Sequence, residues 1–375
     1  MKPPLALMNY RVVVCLGAGG VGKTSIAAAL SLGEALRGRT VDVMTVDPAP
    51  RLLDALGLDS DSSEPRNVEL NGVGHRAGAR LRALRLDPKA TFDSLVERYA
   101  PSAGAREAIL QNRIYRNLSQ ALAGVSDYMA IEKLLELHGE PTTDLVVLDT
   151  PPARHAIDFL DAPRRILELL NSRAAVLLGA SSGFLGQSLK LVDIAARGVL
   201  KAFDRLTGLR LLADIQEFVR GFEGMYQGFA ERAERAQGLL RDPRCLILIV
   251  TTAEAERLAE TRDFVDSLRA IGLKPGGLIV NRTLPEMPSL AELSKLKIAP
   301  ALKRKMRRNW EDFAALKSRE SESLSALRAI MPRRAPIVVV PDLGREPARL
   351  ADLAAIAHWL TGVELEDDSP PASTK

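Results

Sequence analysis

The stretch VVVCLGAGGVGKTS, Val12 to Ser25, constrains the fold more than any other part of the chain. A β-branched apolar run feeds a glycine-rich loop, and the loop opens a helical pattern, TSIAAALSLGEALRG. Strand, loop and helix in that order begin a parallel α/β sheet with a nucleotide site at the strand's carboxyl end. The glycines satisfy two motifs at once. Gly17-x-Gly19-x-x-Gly22 fits a dinucleotide fingerprint, and Gly17-x-x-x-x-Gly22-Lys23-Thr24 fits a phosphate-binding P-loop. Asp47, after the second apolar run VDVMTV, keeps the dinucleotide reading open as a ribose ligand.

Three features favour the P-loop. Lys23 and Thr24 supply a cation for β/γ-phosphates and a hydroxyl for Mg²⁺, neither of which a dinucleotide loop needs. Asp149 ends another apolar run, DLVVLD, where a carboxylate can hold the metal or its water. Asn281 ends GLIVN, placed to hydrogen-bond a base edge. The expected ligands are therefore ATP or ADP with Mg²⁺.

Seven runs predict strands: RVVVCL, VDVMTV, LRALRL, DLVVLD, CLILIV, GLIVN and PIVVV. Most are apolar throughout, as strands covered on both faces read. Their alternation with helical stretches predicts a doubly wound, mostly parallel sheet of the P-loop NTPase class. Two stretches, about 88–137 and 155–240, are too long for simple crossovers and predict an inserted helical subdomain within one domain spanning 1–363. In the second stretch, Ile215, Phe218, Phe222, Met225, Phe229, Ala233 and Ala236 share one helical face, and Val192, Ala196, Val199 and Phe203 share another. Residues 364–375, ELEDDSPPASTK, read as a disordered tail.

The net charge of +4 is only mildly basic. The two cysteines, Cys15 and Cys245, lie in apolar runs and read as core thiols of a reducing compartment, and no zinc spacing occurs. The opening MKPPLALMNYR is broken by proline and Arg11 and does not read as a signal peptide. A cytoplasmic protein with no integral membrane segment is expected. Nucleic acid is not an expected partner. The run KRKMRRNW from Lys303 reads as a solvated helix face, with anionic lipid or RNA as the alternatives.

GAGGVGKTS, VDPAPRLLDALGL, LDTPPARHAIDFL, IVNRTLPE and VVVPDLGREPARL together resemble the family of arsenite-pump and tail-anchored-protein-targeting ATPases, from the first strand to about Gly362. The resemblance implies a dimer, of identical chains or with a paralogue, closing face to face over ATP. It implies that Gly19, Gly20, Val21, Gly22, Lys23, Thr24 and Ser25 cradle the phosphates. Thr24, Asp47 and Asp149 serve the metal, and Asp47 positions or deprotonates the attacking water. His155 relays nucleotide state from Asp149 to the helices, and Asn281 with the loop at Pro341 and Asp342 holds adenine. A second lysine of that family falls at Ala18, so its charge is missing. Arg51 and Arg154, in the two predicted switches, are candidates to replace it across or within a dimer; local pairing with Asp54 or Asp158 is the alternative. Two cysteines in separate strands do not suit a thiophilic metalloid, and the zinc clip of the tail-anchor branch is absent. The chain thus reads as an ATPase whose closure rearranges a helical subdomain around a protein client, possible membrane proteins included. The alternatives are a slow nucleotide-gated scaffold and, more distantly, a dinucleotide oxidoreductase.

Overall fold

The computed structural model describes residues 5–58, 63–70, 73, 78–112, 115, 123–151, 153–170 and 225–363. The strands are β1 (Val12–Leu16), β2 (Thr40–Thr45), β3 (Arg66–Asn67), β4 (Arg80–Arg85), β5 (Leu145–Asp149), β6 (Cys245–Thr252), β7 (Gly277–Thr283) and β8 (Ile337–Pro341). The described helices, in chain order, are α1 (Lys23–Leu36), α2 (Arg51–Ala55), α3 (Pro88–Tyr99), α4 (Ala103–Gln111), α5 (Ala123–Gly139) and α6 (Ala153–Leu170). They continue with α7 (Tyr226–Arg241), α8 (Ala255–Ala270), α9 (Leu290–Lys295), α10 (Pro300–Ile330) and α11 (Leu350–Thr361).

The chain divides into two compact units. The first, Met1–Arg85 with Leu137–Ile157 and Pro243–Lys375, holds an eight-stranded sheet in the order β3-β4-β2-β5-β1-β6-β7-β8. All pairs are parallel except β3 with β4. The seven expected strands are present, each shifted by at most a few residues. The edge pair Arg66–Asn67 was not expected, because two exposed polar residues carry no hydrophobic alternation. Strands β1 and β5 are buried along their whole length, which explains why they read as unbroken apolar runs. Helix α1 is buried nearly all round and lies against α11. A Cβ at Gly33 would meet the Thr361 side chain at 2.7 Å, so a hydrogen there permits the close helix approach.

Because β1 sits between β5 and β6, the chain leaves β1 toward one half of the sheet and returns on its other side. The loop after β1 therefore opens at the point where strand order reverses, where open α/β sheets take their ligands.

The second unit, Leu86–Glu136 with Asp158–Asp242, is helical in its described parts. Asp87 caps α3 through the Ala90 N–H, and Ser102 caps α4 through the Ala105 N–H. Phe92, Tyr115, Tyr128 and Phe229 build an aromatic core, with the Phe92 and Tyr115 rings 5.0 Å apart. Inside it, Arg232 donates to Glu132 (2.7 Å) and to the Tyr99 hydroxyl (2.7 Å), while Tyr128 also donates to Glu132. Both charges are thus paired and hydrogen-bonded, as burial demands. Met225, Phe229, Ala233 and Ala236 are buried, consistent with the expected apolar face. Ile215, Phe218, Phe222, Val192, Ala196, Val199, Phe203 and the tail 364–375 lie outside the described residues.

A candidate nucleotide site at the mouth of the first strand

Two glycines make the loop possible. At Gly17 a Cβ would stand 2.1 Å from the Val250 carbonyl oxygen, so the loop can leave β1 only by pressing bare backbone against β6. Gly22, at φ 88°, is the left-handed cap of α1, and a Cβ there would meet the Asn281 amide at 2.4 Å. No side chain caps α1, and no acidic residue occupies its first turn. Its first N–H groups can therefore receive an anion.

Lys23 is only 8% exposed, and its ammonium donates to the Ala18 carbonyl at 3.0 Å. Burial pulls its pKa below the ordinary lysine value, opposed by Asp149, Cys15 and Asp47. Ala18 thus contributes a backbone acceptor for Lys23, while its side chain packs on the main core. Asp149 is buried behind the loop. Its Oδ2 accepts from Thr24 Oγ1 (2.8 Å) and Thr45 Oγ1 (3.0 Å), while Oδ1 has no hydrogen-bond partner among the described residues. Burial pushes its pKa up to about 6, although both hydroxyls and Lys23 favour the charged form.

Asp47 follows β2 in the same neighbourhood. Its N–H donates to Thr45 Oγ1 (3.1 Å), and its Oδ1 accepts from the Ala49 N–H (2.9 Å). Arg51, 73% exposed at its side chain, reaches Asp47 at 3.9 Å. Gly19, Gly20, Gly22, Lys23, Thr24, Ser25, Asp47 and Arg51 line one cleft of about 430 Å³, together with Arg282 and Glu346. A second cleft of about 460 Å³ shares Gly22, Ser25, Arg282 and Glu346 with it and adds Asn281, Pro341 and Asp342.

Four sequence-derived residues have surroundings that the sequence did not specify. Val21 is buried against the core, so it offers a bound molecule only backbone. The Asn281 amide nitrogen already donates to the Val21 carbonyl (2.9 Å), which leaves its side-chain oxygen, an acceptor, for a base amine. Cys245, at the start of β6, is half-buried, unlike the fully buried Cys15. Arg51 pairs with Asp47 and not with Asp54. The side chains of Arg154 and His155 lie outside what the structure describes, although both residues belong to α6.

Sequence reasoning passed over Thr45 and Arg282. Thr45 ends β2 two positions before Asp47, and its hydroxyl connects the Asp47 backbone to Asp149. Arg282 holds φ 55°, where a non-glycine residue is uncommon, and donates to the Gly20 carbonyl (3.1 Å). Its place directly after Asn281 was the only signal available. Among the described residues it has no carboxylate partner, although it faces both clefts.

The family described as Anion-transporting ATPase matches residues 10–322. An "ATPase GET3" of Malassezia globosa is 25% identical over 280 residues, covering 75% of this chain and 75% of that protein. An "ATPase get3" of Schizosaccharomyces japonicus is 27% identical over 187 residues, 48% of this chain and 54% of that protein. The "Putative arsenical pump-driving ATPase 2" of Aquifex aeolicus is 24% identical over 288 residues, 74% of this chain and 82% of that protein.

Proposed function

Since the chain belongs to the anion-transporting ATPase family and is an ATP hydrolase, we propose that its turnover depends on Mg²⁺ and that ATP-driven closure of a dimer rearranges a helical subdomain to handle a protein client. The observation that carries this reading is the buried Asp149 carboxylate. One oxygen is held by Thr24 and Thr45, and the other is buried without a hydrogen-bond partner among the described residues. An orphaned carboxylate oxygen beside a P-loop hydroxyl suits a hard cation. Thr24 would hold Mg²⁺, with Asp149 and Asp47 holding its waters. The ion supplies neutralising charge for the phosphates.

The protein's own groups divide the remaining work. The α1 N-terminus and Lys23 bind the phosphate oxygens, and Lys23 gives up its Ala18 acceptor to do so. Asp47, oriented by the Ala49 N–H, accepts the proton of the attacking water or holds that water in line. Asn281 accepts from the adenine amine, and the Pro341–Asp342 segment packs on the base. A protein client fits the chain better than a metalloid. Cys15 pairs with Leu248 and Cys245 with Val12, so the thiols stand at opposite ends of the β1–β6 pairing.

Sedimentation velocity of Asp47→Asn with Mg-ATP tests closure. A monomer with ADP and a dimer with ATP support it, and an unchanged sedimentation coefficient sinks it. Ala18 favours one alternative, a scaffold that binds ATP and turns it over barely above background, because the cation that speeds related enzymes is missing there. Steady-state phosphate release separates the two.

A further inference from the structure

A second feature lies in the segment between β7 and β8. Ser289 and Glu292 form a reciprocal capping box that starts α9. The chain then turns through Leu296–Ala299 into α10, whose first helical residue is Pro300. Trp310 Nε1 donates to the Pro288 carbonyl (2.9 Å), tying the hairpin together.

Two properties coincide on this hairpin. Leu290, Leu296 and Leu302 are 40%, 43% and 49% exposed, so half of the large exposed hydrophobics among the described residues fall within thirteen positions. Of these, Leu290 lines a cavity of about 600 Å³ whose wall also includes Leu293, Ile298 and Met306. From Leu293 to Trp310 the chain also carries Lys295, Lys297, Lys303, Arg304, Lys305, Arg307 and Arg308 and no acidic residue. All seven are exposed. Among the described residues, only Arg307 has a carboxylate partner, Glu311 at 3.2 Å.

We propose that this hairpin is a docking surface for an anionic lipid bilayer, with the leucines entering the headgroup–acyl boundary and the cations ringing them. Exposed apolar side chains within a basic, acid-free stretch are what an interfacial segment needs. Lysine and arginine lay aliphatic stems on apolar surface while their charges reach outward to lipid phosphates. Nucleic acid would match the cations but offers no place for three leucines, and Trp310 is tied to Pro288 and cannot stack on a base. The inference does not rest on the nucleotide site, because no residue of the hairpin lines either nucleotide cleft.

The test is flotation of the full chain with vesicles of neutral phosphatidylcholine and with vesicles about one third phosphatidylglycerol. Binding only to the anionic vesicles, weakening with salt, is expected. Arg304→Gln, Lys305→Gln and Arg308→Gln combined should weaken it roughly a hundredfold, at about fivefold per cation. Leu296→Ser with Leu302→Ser should abolish what binding survives high salt. Unchanged ATP turnover in both variants certifies their fold. No binding, equal binding to neutral vesicles, or full binding by either variant overturns the proposal. Retention by the serine variant together with competition by RNA would reassign the patch to nucleic acid.

Discussion

Thr24 and Asp149, separated by 125 positions in the chain, share a hydrogen bond of 2.8 Å. The first residue of the motif's hydroxyl pair and the last residue of β5 meet only because β1 and β5 pair in register, Cys15 beside Asp149. That bond joins the glycine loop to the neighbouring strand β5, and four expectations grow from the residues around it.

Lys23→Ala should weaken ATP binding about a hundredfold, the loss expected when a charged donor to the phosphates is removed. Isothermal titration with a non-hydrolysable ATP analogue measures it. Wild-type affinity in this variant would falsify the phosphate assignment of the cleft.

Asp149 should make the apo protein's behaviour depend on pH near 6. Its folded pKa of about 6 lies above the ordinary 3.8, so the unfolded chain ionises first as pH rises. The resulting destabilisation is absent below about pH 4 and complete above pH 6, reaching at most about 3 kcal/mol. Asp149→Asn should accordingly be the more stable protein at pH 7.5, with the difference vanishing toward pH 4 in denaturant titrations. Mg-ATP affinity in the wild type should fall about tenfold between pH 7 and pH 5. A wild-type affinity that ignores pH would remove Asp149 from the metal site.

Asp47→Asn should bind Mg-ATP with near-wild-type affinity and turn it over at least about a hundredfold more slowly, because the amide cannot take the water's proton. Quench-flow of a single turnover reads the chemical step directly. Normal turnover would reduce Asp47 to the turn residue its bond from Ala49 N–H already makes it.

Arg282 and Arg51 are the described cations available to the cleft besides Lys23. Arg282→Gly should stabilise the fold by about 1 kcal/mol, since glycine tolerates the left-handed backbone that arginine holds at φ 55°. If its guanidinium stands in for the charge missing at Ala18, the same variant should slow single-turnover hydrolysis about a hundredfold with ATP binding nearly intact. Arg51→Ala, whose side chain is 73% exposed and only loosely paired with Asp47, is expected to change the rate less. The reverse ranking would give the charge to Arg51, and two silent variants would leave Arg154 or a slow switch.

Much of the sheet was legible because its central strands are covered on both faces, and unbroken apolar runs such as Val12–Leu16 and Leu145–Asp149 announce that burial. The β3 edge carries no such mark. Lys23, Thr24 and Asp149 were named from the sequence because the expected chemistry demands those residue types, and the structure brings them together. Thr45 and Arg282 escaped because their roles follow from strand register and backbone twist. A threonine before Val46 is ordinary β-strand composition until β2 is laid against β5, Thr45 beside Asp149. Asn281 was named from the sequence, but its bond to the Val21 carbonyl was not, since that contact spans the loop and the end of β7.

The position of β1 also bears on how the protein is made. Val12 pairs with Val146 on one side and with Cys245 on the other, so the glycine loop leaves the ribosome long before either flanking strand exists. At about 5–20 residues per second, the wait for β6 is on the order of ten seconds or more. Until β5 has emerged the first strand and the buried helix behind it have no neighbouring strand to join, and until β6 has emerged β1 remains an open edge exposed to chaperones and proteases. Under the proposed assignment nucleotide cannot rescue the early chain, because the cleft lined by Asn281 and Pro341 is synthesised later still. Ribosome-stalled chains ending before Leu145 are expected to be cleaved within the first strand and α1 with or without ATP, and protection by ATP should begin only when β7 and β8 have emerged.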